Sequence, residues 1–186
     1  MAIGKIVSSQ VELNFNLVWN QMPASARQAF TGVSEKVKLP SGFALYKFTE
    51  FRIANHEGKI TEWWNPVAPY GNDAGLAARM ALARHLGAIP ADLTRVVAAV
   101  REDWNALTHV LQANLLKPVY AFWGQCSMQR RLKDGETRRP GIAGAPTRNL
   151  PGVSGAPSRN LPGYAWQFYI PNLTSDHIRQ IGRLAL

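Results

Sequence analysis

Val11, Leu13, Phe15, Leu17 and Trp19 alternate with Glu12, Asn14, Asn16 and Val18, a period of two that predicts a half-buried strand over 11 to 19. Pro23 near the start of "MPASARQAFTGV" and Gly32 at its end predict a short helix. The aromatic segments "GFALYKFTEFRI" and "GKITEWW" flank a polar "ANHEG" turn, which predicts a hairpin with strands over 43 to 53 and 59 to 64. From Asp73 the texture changes to "DAGLAARMALARHLG", a helix with an acid near its start and Gly87 at its end. Leu93, Val97, Val100, Trp104, Leu107, Leu111 and Leu115 then recur at steps of three and four, predicting a longer helix over 90 to 116. Pro118 ends it. "VYAFWGQCSMQ" reads as a buried strand over 118 to 125, "YAWQFYIP" as an aromatic strand over 164 to 170, and "TSDHIRQIGRLAL" as a terminal helix.

Five strands and two central helices in this order predict an α+β fold, a mainly antiparallel sheet with the helices packed on it. A chain of 186 residues suits one core, so residues 1 to 186 are expected to form a single domain. Between its last two strands lies a long loop, 130 to 163, holding the near-duplicate "GIAGAPTRNLPGVSGAPSRNLPG" at 141 to 163. Its Pro and Gly content is hostile to helix and central strand alike, and two units fall short of the roughly three that a solenoid needs. It reads as a tandem duplication, tolerated because doubling a loop costs only about 0.6 kcal/mol. The result is an extended basic arm carrying Arg148 and Arg159 at matching positions. Loops this long are uncommon inside compact domains, and tend to be functional or disordered.

Charge sharpens that picture. The chain carries 21 Lys and Arg against 12 Asp and Glu, a net charge of +9. Lys117, Arg130, Arg131, Lys133, Arg138, Arg139, Arg148 and Arg159 face only Asp134 and Glu136 within the 117 to 159 segment, so a polyanion or an acidic protein surface is a natural partner. With Tyr164, Trp166 and Phe168 beside it, the segment could pair phosphate neutralisation with base stacking. One reading is therefore a non-enzymatic module that binds nucleic acid or embeds in a large assembly, although no helix-turn-helix, zinc-finger or RNP signature accompanies it. No apolar run reaches membrane-spanning length and no secretory leader is evident. A cytoplasmic protein is expected, or one delivered into a target-cell cytoplasm by another route, with no membrane partner. Cys126 is the only cysteine, which leaves no intrachain disulfide and no thiolate cluster. His56, His85, His109 and His177 lack ligand spacing, so no metal is expected.

Two stretches point to chemistry. Gly124-Gln125-Cys126 resembles the nucleophile turn of transglutaminases, with His177 beside Asp176 as the activating base. Ser127 stands where that turn has an aromatic residue, and a buried, inert Cys126 is the preferred reading. The second lies in the order of elements: "ALYKFTEF", then helices, "FWGQCSMQ", a long loop and "YAWQFYIP". This order resembles that of bacterial mono-ADP-ribosyltransferase effectors and toxins, over residues 42 to 173. The resemblance implies NAD as the cofactor consumed, with Tyr46, Lys47, Trp64 and Ser127 binding it and Gln167 at the position of the catalytic Glu. It also implies that the basic loop engages a macromolecular target through Arg130, Arg131, Arg138, Arg139, Arg148, Arg159 and Trp166. Lys47 stands where the family has Arg, and so lacks a planar fork for phosphate. Gln167 supplies no negative charge opposite a developing cation, which leaves Glu50 or Glu62 of the aromatic hairpin to supply a carboxylate.

Overall fold

The computed structural model describes residues 11 to 54, 57 to 137 and 159 to 186. Along the chain run α1 (Ala24–Gln28), β1 (Glu35–Leu39), β2 (Ala44–Thr49), β3 (Trp63–Pro66), α2 (Gly75–His85), α3 (Pro90–Val97), β4 (His109–Leu115), β5 (Val119–Gln125), β6 (Gln129–Arg130), β7 (Asn160–Leu161), β8 (Trp166–Tyr169) and β9 (Ile178–Ala185). Seven strands form one sheet in the order β1-β5-β8-β3-β2-β4-β9, and every neighbouring pair is antiparallel. The α+β class expected from the sequence is the class observed. β6 and β7 form a separate two-stranded ribbon at the base of the 130 to 163 loop. The repeat itself, up to residue 158, lies outside the described residues.

The sheet has to curl. β4 and β5 stand four places apart, roughly 19 Å across a flat sheet at ~4.8 Å per strand. Only residues 116 to 118 join them, a reach of about 14 Å. Curling brings the two ends together around one apolar filling: Leu39, Val119, Ala121, Trp123, Trp64 and Phe168 from one half meet Leu45, Leu111, Ala113, Leu115 and Ile178 from the other. The period of two assigns the opposite side chains to the outer face. There Phe122 and Tyr169 pack on Met22, Ala26 and Phe30 around α1, while Tyr46 and Phe48 pack near Leu76, Met80 and Ala91 of α2 and α3.

Three sequence expectations give way to tertiary structure. Residues 11 to 19 form a turn and a short 3-10 helix, Trp19–Gln21, rather than a strand. Asn14 adopts φ 64°, and its side-chain amide donates to the carbonyls of Tyr120 (3.1 Å) and Pro171 (2.7 Å). The predicted 90 to 116 helix ends at Val97, and 109 to 115 is a strand. Leu107, Leu111 and Leu115 are spaced by four, which suits a period of two as well as one of 3.6. The buried Arg95 guanidinium settles the break by donating to the carbonyls of Val100 (3.0 Å), Arg101 (3.1 Å) and Asn105 (2.8 Å). The terminal helix is instead β9. A bulge leaves Ile181 unpaired between Gln180 opposite Ala113 and Gly182 opposite Gln112, so Ile178 and Ile181 fall three apart and mimic a helical step.

Candidate functional site

β2 and β3 pair through Leu45 with Pro66 and Tyr46 with Asn65, continued at one end by the Val67 amide donating to the Ala44 carbonyl at 3.0 Å. Toward Lys47 the pairing stops. The strands part, and a cleft of about 550 Å³ opens between them. α1 forms one wall through Ser25, Ala26 and Ala29, and the segment after α3 forms the other through Ala98, Val100, Trp104 and Asn105. Its floor is the outer face of β3 and β8. Trp63 faces Tyr169 across their ladder with ring centres 4.7 Å apart, and the same register sets Asn65 level with Gln167. The Asn65 amide donates to the Trp166 carbonyl at 2.8 Å. The cleft thus offers aromatic surface and two carboxamides side by side.

Four residues expected at a site line this cleft: Lys47, Glu62, Ser127 and Gln167. Lys47 Nζ donates to Thr61 Oγ1 at 2.6 Å and lies 4.4 Å from the centre of the Trp64 ring. Burial pushes the Lys47 ammonium down to about 8, opposed by the nearby Glu62 carboxylate. Thr61 is itself held by the Trp64 indole, which donates to its carbonyl at 2.8 Å. Glu62 pairs with Lys59 at 3.1 Å.

Ser127 fastens α1 to the end of β5. Its hydroxyl donates to the Gln28 carbonyl and accepts from the Gln129 amide at 3.2 Å, and its backbone amide donates to the Ala29 carbonyl at 2.9 Å. Gly124 makes this approach possible, because a Cβ there would stand 2.8 Å from the Phe30 ring.

Other expected positions lie elsewhere. Tyr46 and Trp64 are both 0% exposed, so they are core residues and present no surface to a cofactor. Trp63, on the opposite face from Trp64, is the β3 indole that lines the cleft. Alternation shows that adjacent Trp residues point apart without showing which points inward. Glu50 does not line the cleft; its backbone amide donates to Asn105 Oδ1 at 2.9 Å. Trp166 is half-buried against Trp123, beside a second pocket of about 270 Å³. Arg131 is buried and paired with the buried Glu102 at 3.1 Å, a structural role rather than an exposed target contact. Arg130 is exposed and pairs with Asp134 at 2.6 Å, and Arg159 is exposed beside β7. Arg138, Arg139 and Arg148 lie outside the described residues.

The transglutaminase-like pairing is not assembled. Cys126 is buried among Ala98, Ala165 and Val97, and burial pushes its thiol up to about 12. His177 hydrogen-bonds Thr174, and its carbonyl accepts from Leu116, ahead of β5, whereas Cys126 follows β5. The strand between them spans roughly 20 Å. Among the described residues no three His, Cys, Asp or Glu side chains gather as a metal site, and no helix is long and apolar enough to cross a membrane. No protein-family model, curated protein or solved structure was found to match the chain.

Proposed function

We propose that the cleft binds NAD and that the protein is an ADP-ribosyltransferase-like enzyme, cleaving the bond between nicotinamide and ribose. The observation that supports this reading is the convergence of Lys47, Glu62, Ser127 and Gln167, from four separate segments, on one cleft. The site combines flat aromatic surface at Trp63 and Tyr169 with the carboxamides of Asn65 and Gln167. That combination suits a planar ring bearing an amide, which needs stacking and directional hydrogen bonds together.

In the proposed reaction nicotinamide leaves with the bonding electron pair, and positive charge develops on the ribose carbon it vacates. Glu62 is the carboxylate lining the cleft and faces that charge, the role for which Gln167 lacks the charge. Gln167 hydrogen-bonds a ribose hydroxyl or the departing amide. Water or a target nucleophile then forms the new bond to the ribose carbon and gives up its proton. Lys47 adds positive charge at the back of the cleft as a point charge rather than as a fork.

The alternative, nucleic-acid binding through the 117 to 159 segment, is weakened by the burial of Arg131 and the pairing of Arg130 with Asp134. The test is nicotinamide release from NAD, followed chromatographically with and without a cell lysate as the source of acceptor. The expected result is release by the wild type, reduced tenfold or more in Glu62→Gln and Gln167→Ala. Release indistinguishable from the uncatalysed background in both conditions would overturn the reading.

A further inference from the structure

Lys47 is 7% exposed, yet it lines an open cleft and lies within 4.0 Å of no described carboxylate. Buried lysines are ordinarily ion-paired or carry their head group out to water. Lys47 does neither: its amine rests on a threonine hydroxyl at 2.6 Å and the face of an indole. The hydroxyl and the indole face both favour the ammonium, but burial strips it of water and outweighs them. This raises the share of free amine, the condition under which a lysine becomes a nucleophile toward carbonyl carbon.

We propose that Lys47 is a carbonyl-reactive amine, and that the cleft takes a small, hydroxyl-bearing aldehyde which it holds as a reversible imine. The cleft volume of about 550 Å³ admits an aldehyde of this size with room to spare. The hydroxyls follow from the carboxamides of Asn65 and Gln167, which both donate and accept.

The step balances without an oxidant or reductant. The ammonium first gives its proton to solvent in the cleft. The Nζ lone pair adds to the carbonyl carbon, the carbonyl oxygen takes up a proton, and the carbinolamine loses water to form the imine. Addition of water reverses it. Glu62 is the carboxylate lining the cleft that can relay these protons.

The charged and titratable groups that line the cleft with Lys47 are Glu62 and Lys59 from the segment before β3 and Tyr169 from β8, and Arg183 of β9 shares its cross-strand row through Leu111. Glu62 favours the ammonium, and the Tyr169 phenol is held upward by burial and so stays neutral near pH 8. The pH dependence of reaction therefore belongs to Lys47. This proposal does not rest on the NAD reading, and the trapping is done with no NAD present.

The experiment is reductive trapping. The full chain is incubated with glycolaldehyde and cyanoborohydride at several pH values, and the modified lysines are mapped by peptide mass spectrometry. Lys47 is expected to be modified at least tenfold faster than the exposed Lys59 and Lys133 at pH 7, with a rate that rises through about pH 8. Lys47→Arg is expected to lose that adduct and retain the slow surface ones. Labelling spread over Lys59 and Lys133 with no preference for Lys47 in the folded wild type would overturn the proposal, and that map needs no variant.

Discussion

The Lys47 ammonium and the Trp64 indole face each other at 4.4 Å, at the point where the sheet's inner filling meets the cleft. Burial holds the folded-state value near 8, below the ordinary 10.5. Below about pH 8 the group is charged in both states, and its burial penalty is fully present. Between 8 and 10.5 the unfolded chain binds more protons, so stability climbs with pH, by up to about 3 kcal/mol from this group. Urea unfolding from pH 7 to 9.5 should show that rise. Lys47→Met should flatten it and be more stable at pH 7 by about 1 to 3 kcal/mol, since it removes a desolvated charge. A less stable Lys47→Met with an unchanged pH slope would contradict this account.

Glu102 and Arg131 form an ion pair in which the side chains are 2% and 9% exposed. The backbone reinforces it, with the Glu102 amide donating to the Arg131 carbonyl at 2.9 Å. This ties the wall of the cleft to the ribbon beneath the basic loop. Removing one member of a buried pair leaves the other charge uncompensated, so Glu102→Gln should destabilise by about 3 kcal/mol. An equivalent change at the exposed Arg130–Asp134 pair should cost no more than about 1 kcal/mol. Chemical denaturation of the two variants measures the difference.

Cys126 should be silent toward a thiol reagent at pH 8 in the folded protein and react at once in denaturant. Its side chain is 3% exposed, and burial raises its thiol to about 12, so both access and thiolate are lacking. Rapid reaction of the native protein would show an open or activated cysteine.

Gly163 closes the second copy of the repeat with φ +82°, and a Cβ there would stand 2.5 Å from the Cys126 carbonyl oxygen. Its amide donates to the Val96 carbonyl at 3.2 Å, which fixes the chain against α3. Gly163→Ala should therefore destabilise by about 2 to 4 kcal/mol, through strain and overlap together. Thermal unfolding measures this, with Gly135→Ala as a control: it shares a positive φ, but nothing lies within 4 Å of its added Cβ.

Much of the sheet is legible because β2, β5 and β8 are short runs rich in aromatic and apolar residues, buried at successive positions. β4 was misread because leucines four apart satisfy helix and strand equally, and only the long-range clasp of Arg95 on 100 to 105 decides between them. β9 was misread because a bulge in the partner ladder shifts its apolar spacing. At the site, Lys47, Glu62, Ser127 and Gln167 could be singled out from the order of elements. Trp63 and Asn65 could not, since which face of β3 meets the cleft is set by how β2 and β3 part. That depends on contacts between segments distant in the sequence.

The central claim is that the cleft is an NAD site, and calorimetric titration of the folded protein with NAD tests it most directly. Saturable binding, weakened at least tenfold in Gln167→Ala and unaffected by Arg130→Ala, is the predicted result. An absence of binding at millimolar NAD, or binding that Arg130→Ala abolishes and Gln167→Ala leaves intact, would contradict it.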